Sequence, residues 1–133
     1  MQEPSPPKQV VEQRIRNRLI EYLEMVVSYQ TSPPFFGLNE ALMQWEDWVH
    51  CQPMEVASCF PAPTYTDAEA SHLLAVHGAW EKLCNCTPRI IIRDADVFPL
   101  PEWESFVSAS AAALRVLQQR GKFSEDDVDS NRL

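Results

Sequence analysis

Two pairs of glutamate and histidine come nearest, among the residues of this chain, to the spacing of a metal site. Glu69 and His72 form a Glu-x-x-His pair, and His77 and Glu81 form a second pair, spaced by four and in reverse order. Carboxylates and imidazoles that converge between helices bind iron, manganese or zinc. One Glu-x-x-His pair is only part of such a pattern, and Glu69 also fits a helix cap. The sequence therefore predicts no metal or other cofactor, and a metal-binding bundle protein or enzyme that uses these four residues is the alternative.

The four cysteines do not follow the spacing of a closed zinc site, which uses two pairs with two to four residues between them. Cys84 and Cys86 form one C-x-C pair, whereas Cys51 and Cys59 are eight apart in a proline-rich stretch. We expect small buried hydrophobes and one exposed thiol, all of them reduced. The chain also has no glycine-rich phosphate loop and no nucleophile motif with a known local signature. These observations predict that it is not an enzyme.

A set of acidic residues around one tryptophan is the best candidate for a protein-binding surface. Acidic side chains steer a basic partner and pair with its arginines and lysines, while an exposed tryptophan provides an anchor. The candidate partner-binding residues are Glu46, Asp47, Trp48, Asp94 and Asp96.

Tryptophan followed by glutamate occurs three times, in "QWEDWV", "AWEKLC" and "EWESFV". Neighbouring residues on a helix point about 100° apart. Because Trp45, Trp80 and Trp103 each fit an apolar stripe, we expect these rings in the core and the following glutamates at its edge. Trp48 falls outside this pattern and is expected to be available to a partner.

The formal net charge of the 133-residue chain is −8. Such a charge repels nucleic acid and anionic membranes and favours a basic protein partner. The first residues, "MQEPSPPKQV", lack the apolar segment of a secretory signal, and no run of about 20 apolar residues is present. The sequence therefore predicts a cytoplasmic protein that binds neither nucleic acid nor membrane.

Helical periodicity indicates four helices. Apolar residues recur at steps of three and four in each of them, and the third has a capping box in "TDAE", from Thr66 to Glu69. Asn39 is the expected N-cap of the second helix, and Gly121 is the expected left-handed stop of the fourth. The predicted spans are 7–30, 39–50, 66–86 and 101–120.

These helices predict an all-α fold, an irregular antiparallel four-helix bundle with a long Pro-rich connection and a short extended segment at Ile90 to Ile92. One helical domain should cover residues 1–123, and an acidic disordered tail should cover 124–133. The basic cluster "RIRNR" near the start of the first helix is expected to form a solvated, ion-paired face, with Glu12 close to Arg16 and Glu21 close to Arg18.

The segments "RIRNRLIEYLE" and "QWEDWV" resemble a set of small uncharacterised bacterial helical proteins. In size, charge and class the chain is also similar to immunity proteins of bacterial toxin systems. That analogy implies a protein that binds a cognate toxin and blocks its active site or substrate path.

The sequence thus favours an acidic helical protein-binding protein, most concretely an immunity-type inhibitor of a basic toxin. The metal-binding bundle described above is one alternative. A structural homodimer or adaptor, in which the second helix pairs with its own copy, is the other.

Overall fold

The computed structural model describes residues 6–49 and 56–128. Its helices are α1 (Lys8–Val27), α2 (Leu38–Trp48), α3 (Asp67–Cys86) and α4 (Pro101–Gln118). Short 3-10 helices at Val56–Cys59 and Asp94–Asp96 interrupt the connections, and the described part of the chain has no β-strand. The predicted all-α bundle is confirmed.

The ends of α3 and α4 follow from their sequences. The Thr66 hydroxyl accepts from the Glu69 N–H at 3.1 Å, and the Glu69 carboxylate accepts from the Thr66 N–H at 3.0 Å, which completes the predicted capping box. Pro101 occupies the first turn of α4, where its missing N–H leaves no bond unmade. Gly121 has a φ of 74° and follows α4 as the expected left-handed residue.

The predicted N-cap of α2 is wrong. Gly37 is the N-cap, and Asn39 lies inside the helix. The Asn39 side chain instead donates to the Ile91 carbonyl at 2.7 Å and accepts from the Ile91 N–H at 2.8 Å. An amide side chain can pair with both groups of one peptide residue in this way, so Asn39 fastens the connection after α3 to α2.

Contacts at both ends show that α4 runs antiparallel to α1. Arg16, in the first half of α1, donates to the Leu117 carbonyl near the end of α4 at 3.2 Å. Tyr29, just after α1, packs edge-on against Trp103 at the start of α4, with 5.7 Å between ring centroids. Glu69 at the start of α3 likewise meets Arg120 just after α4. Helix α4 is therefore antiparallel to both α1 and α3.

The core tryptophans lie where the sequence predicts them. Trp45 and Trp103 are buried, Trp80 is partly buried against the core, and the glutamates that follow these three rings are exposed.

The chain after α4 crosses back over α1. Asn17 donates to the Phe123 carbonyl at 2.8 Å and accepts from the Phe123 N–H at 2.9 Å. The buried Gln13 amide donates to the carbonyls of Ser124 and Asp127, both at 2.8 Å. The first residues beyond the domain boundary expected at 123 thus contact α1, and residues 129–133 lie outside the described part of the chain.

We expect replacement of Asn17 by alanine to lower the free energy of unfolding by about 1–3 kcal/mol, since both backbone groups of buried Phe123 would lose their partner. Urea unfolding followed by circular dichroism measures this. Hydrogen exchange at the Phe123 amide should accelerate in the same variant, and an unchanged exchange rate there would contradict the assignment.

Candidate functional site

Helix α2 carries the candidate residues on two different sides. Glu46 is exposed and lines a small cavity of about 170 Å³ between α2 and the end of α3. Asp47 and Trp48 line a larger groove of about 470 Å³ between α2 and α1. Successive helical residues point about 100° apart, which places Glu46 in one depression and its two successors in the other.

The groove between α1 and α2, here called the α1–α2 groove, combines an apolar floor with acidic walls. Met25 and Phe36 are partly buried against the core, and Trp48 retains 38% of its surface accessible. The groove is lined by Arg18, Glu21, Tyr22, Met25, Phe36, Glu40, Gln44, Asp47 and Trp48. Three carboxylates against one guanidinium give it a negative charge.

The carboxylates on the two walls differ in whether they form ion pairs within the protein. Glu21 on α1 pairs with Arg18 at 3.1 Å and with Lys122 at 2.9 Å. Glu40 and Asp47 on α2 have no ion-pair partner among the described residues. The acidic character that a partner would meet therefore comes from α2.

Trp48 differs from the other three tryptophans in its indole N–H. Trp45 donates to His77 Nδ1 at 3.0 Å, Trp80 to the Leu42 carbonyl at 2.9 Å and Trp103 to the Gln30 side chain at 2.9 Å. Within the described ranges, the indole N–H of Trp48 has no hydrogen-bond partner. Its ring is thus the one with both an exposed face and a free donor, as an interface anchor requires.

Asp94 and Asp96 lie in the 3-10 helix before α4, apart from the α1–α2 groove. Asp94 Oδ2 accepts from the Tyr29 hydroxyl at 2.8 Å, and Oδ1 accepts from the Leu38 N–H at the start of α2 at 3.2 Å. Burial, followed by the hydrogen bond to Asp94, raises the pKa of the Tyr29 phenol above its usual range, so Tyr29 remains a donor. Asp96 is exposed and pairs with Arg93 at 3.0 Å. Asp94 thus joins three elements, and the five candidate residues do not form one surface.

The alternative metal ligands do not converge. No group of three or more histidine, cysteine, aspartate or glutamate side chains in the described segments could hold a metal ion. His77 Nδ1 accepts from Trp45, and its Nε2 lies 3.6 Å from Glu81 Oε1. His72 is partly buried one turn after Glu69. Glu69 itself is buried and held by two arginines.

The structure gives the "RIRNR" cluster a different role from the solvated, ion-paired face that the sequence predicts. Arg16 is fully buried and donates to Glu69 at 2.7 Å, while Arg120 donates to both oxygens of the same carboxylate. The Phe123 ring lies 4.1 Å from the Arg16 guanidinium and 4.8 Å from that of Arg120. The expected solvated pair with Glu12 does not form, since Glu12 accepts from Thr64. Arg18 does pair with Glu21 as expected.

The buried carboxylate makes stability depend on pH. Burial acts to raise the pKa of Glu69, but hydrogen bonds from Arg120, Arg16 and the Thr66 N–H hold that pKa below its usual value. A lowered pKa in the folded state contributes stability above the ordinary pKa of glutamate and loses it as the pH falls through the folded value.

We therefore expect the wild type to lose its advantage over Glu69→Gln in acid. The difference in free energy of unfolding should be largest near neutral pH and should shrink as the pH falls through the lowered pKa of Glu69, because a protonated Glu69 resembles glutamine. Urea titrations across this range measure it. A difference that stays constant with pH would show that Glu69 does not titrate as described.

The expectation that all four cysteines are reduced is wrong at Cys59, which is disulfide-bonded, whereas Cys84 and Cys86 are free. Cys51 lies outside the described residues. Burial, followed by the nearby Glu46 carboxylate, raises the pKa of the Cys84 thiol to about 11. Cys86 is exposed at the end of α3, and burial followed by Glu102 raises its pKa above the usual value.

We expect iodoacetamide to label Cys86 first and Cys84 more slowly, since Cys84 is half-buried and has about a hundredfold less thiolate than a thiol of pKa 9. Cys59 should react only after reduction. Peptide mass spectrometry over a time course resolves the three sites. Equal labelling rates for Cys84 and Cys86 would contradict the burial of Cys84.

Sequence reasoning missed the residues that complete the α1–α2 groove. Glu40 and Gln44 precede Trp48 at intervals of four, which places them on one side of α2. That spacing was readable as a polar stripe, but which helix it would face depended on the packing of α1. Met25 and Phe36 carry no polar signal, and only the fold brings them under the groove.

In comparisons with family models, curated protein sequences and solved structures, nothing matches this chain. Among the residues that the structure describes, no helix has the length and apolar character needed to cross a bilayer.

Proposed function

We propose that this chain is a non-enzymatic protein that binds a basic partner protein, and specifically an immunity-type inhibitor that occludes a basic surface or active site of a cognate bacterial toxin. One observation carries the proposal: Trp48 is exposed in the α1–α2 groove, and among the described residues its indole N–H has no hydrogen-bond partner and the carboxylates of Glu40 and Asp47 have no ion-pair partner. The net charge of −8 also favours a basic partner.

Each part of the α1–α2 groove has a distinct role in such a complex. Glu40 and Asp47 attract a basic surface over a distance and pair with its cations on contact, which accelerates association. Trp48 becomes buried and supplies much of the binding energy, because tryptophan is enriched among the few residues that dominate interfaces. Asp94 stabilises the start of α2 and so acts on the groove indirectly.

A cytoplasmic location is part of the proposal, and the free thiols of Cys84 and Cys86 support it. The disulfide bond of Cys59 is the feature that tests it, because disulfides are rare in the reducing cytosol. Trapping of thiols in intact cells before lysis gives the answer. Labelling of Cys59 would support a cytoplasmic location, and protection of Cys59 from the label would contradict that location.

Native mass spectrometry of the protein, lightly tagged and drawn from its own host at natural abundance, tests the proposed function. We expect a heteromeric mass with a basic companion, and we expect the complex to weaken as salt is raised, because screening reduces attraction between exposed charges. The same preparation of a variant with both Asp47→Lys and Trp48→Ala should yield the monomer.

Other masses would contradict the proposal. A complex retained by the double variant would place the interface elsewhere, and a monomer that carries transition-metal ions would favour the metal-binding alternative. A homodimer without a foreign companion would favour the structural alternative.

A further inference from the structure

The two walls of the α1–α2 groove are rows of side chains, one on each helix and each about two helical turns long. On α2 the row runs through Glu40, Gln44 and Asp47, and on α1 it runs from Arg18 through Tyr22 to Met25. The Tyr22 hydroxyl donates to the Ala41 carbonyl at 2.6 Å, which fixes the two helices at the bottom of the groove. The groove is therefore a channel between two ridges rather than a closed pocket.

The carboxylates of α2 set a spacing along this channel. Glu40 and Asp47 are seven residues apart, which corresponds to about 10.5 Å along the helix. Phe36 and Met25 supply the apolar floor, and Gln44 lies between the two acids with an amide that can donate and accept. A ligand that fills the channel meets one carboxylate of α2 near each end and apolar surface between, while Arg18 on α1 is already paired with Glu21 and Glu125.

Resting on the proposed function, we propose that the occupant of this groove is an amphipathic basic helix of the partner. Two lysines or arginines two turns apart on that helix would pair with Glu40 and Asp47. Apolar residues on the same face, between the cations, would rest on Met25, Phe36 and Trp48. This is recognition of a helix in a groove, with anchors repeating at helical spacing.

A helix fits the groove better than an extended strand does. A strand gains affinity from main-chain hydrogen bonds to a sheet edge, and the described part of the chain contains no strand. The walls here are helices, in which most backbone groups are bonded within the helix, so the occupant would be recognised mainly by side chains. Ridges of one helix pack into the groove between rows of another.

The charges of the walls require the occupant to be basic. A carboxylate covered by a partner without a compensating cation loses hydration at a high free-energy cost. Glu21 already has Arg18 and Lys122, but Glu40 and Asp47 lack ion-pair partners among the described residues. An apolar or acidic helix would therefore be rejected.

Synthetic peptides of about four helical turns test the proposal directly. The first peptide carries lysines at positions i and i+7 with leucines at i+3 and i+4, so that all four share one face. The second has the same composition but moves the distal lysine to the opposite face. The third has a proline in its middle and cannot form a continuous helix.

The indole N–H signals of the isotope-labelled wild-type protein report binding site by site. We expect the first peptide to shift the Trp48 signal and to leave the other three nearly unchanged, because those three donate to groups inside the protein. The second peptide should bind up to about fivefold more weakly, which corresponds to loss of one exposed charge pair. The third should bind more weakly than the first because its proline interrupts the helix that holds the two lysines on one face. Glu40→Lys should abolish the shift, and Glu24→Lys, outside the groove, should preserve it.

Three results would overturn the helical occupant: equal binding of the proline peptide, equal binding of the peptide with the displaced lysine, or shifts of a tryptophan other than Trp48. If no peptide binds while the host partner still depends on Asp47 and Trp48, the helical occupant is wrong and the proposed function stands. If the host partner is also insensitive to these residues, both are wrong.

Discussion

Replacement of Arg16 by alanine is expected to lower the free energy of unfolding by about 3–5 kcal/mol, because it removes the fully buried cation of the ion cluster around Glu69. The change leaves the Glu69 carboxylate with Arg120 and the Thr66 N–H as donors. It also removes the donors to the Leu117 carbonyl at the C-terminal end of α4 and to the Gly121 carbonyl just after that helix. The free energy of unfolding of an ordinary domain is about 5–15 kcal/mol, so this loss would be a large fraction of the total. Urea unfolding followed by tryptophan fluorescence and circular dichroism measures the change.

Two further variants show that the geometry of Arg16 causes this loss. Arg16→Lys keeps the charge but not the planar fork that reaches three acceptors, so we expect an intermediate loss. Arg14→Ala, on the same helix, removes a single bond to the Glu125 carbonyl and should cost about 1 kcal/mol or less. Similar losses for Arg14→Ala and Arg16→Ala would contradict the central role of the buried cluster.

Replacement of Trp48 by alanine is expected to raise the dissociation constant for the host partner by about thirtyfold or more, since buried tryptophan anchors contribute at least about 2 kcal/mol to an interface. The loss of stability should be smaller than for a core tryptophan, because Trp48 is 38% exposed and its indole N–H has no partner within the described residues. Titration calorimetry against the purified companion measures the affinity, and thermal unfolding of the free protein measures the stability. A large loss of stability together with affinity would assign Trp48 to the fold instead of the interface.

Asp47→Lys should separate binding from stability in the same groove. Association with a basic partner should slow, whereas the free protein should gain about 0.3–1 kcal/mol, because α2 has no basic residue in its last turn and a cation suits a helix C-terminus. Glu24→Lys is a matched control: it reverses the same charge near the end of α1, which also lacks a basic residue there. Only Asp47→Lys should change the association rate.

Local signals in the sequence were sufficient for three helix ends. The capping box of Thr66, Pro101 at the start of α4 and the positive φ of Gly121 involve neighbouring residues and follow from backbone chemistry alone. Asn39 was predicted as a cap for the same reason, since asparagine favours that position. The fold gave it a different role because Ile91, far away in sequence, offers both of its backbone groups.

The candidate site was predictable only in part. Asp47 was predicted to bind a partner through its charge and Trp48 as an aromatic anchor, and the structure places both in the α1–α2 groove. Glu46 and Asp94 are also acidic but lie outside this groove. Glu46 points about 100° away from Asp47 on α2, and Asp94 lies in the 3-10 helix before α4.

The sequence by itself determined that the chain forms four amphipathic helices, that three tryptophans face the core and that the net charge is acidic. These properties depend on periodicity, local capping and composition. Only the tertiary structure decided that Arg16 is buried against Glu69 and that an acidic groove opens between α1 and α2. Both depend on which faces of distant helices pack together, and pairing across 53 residues leaves no local pattern in the chain.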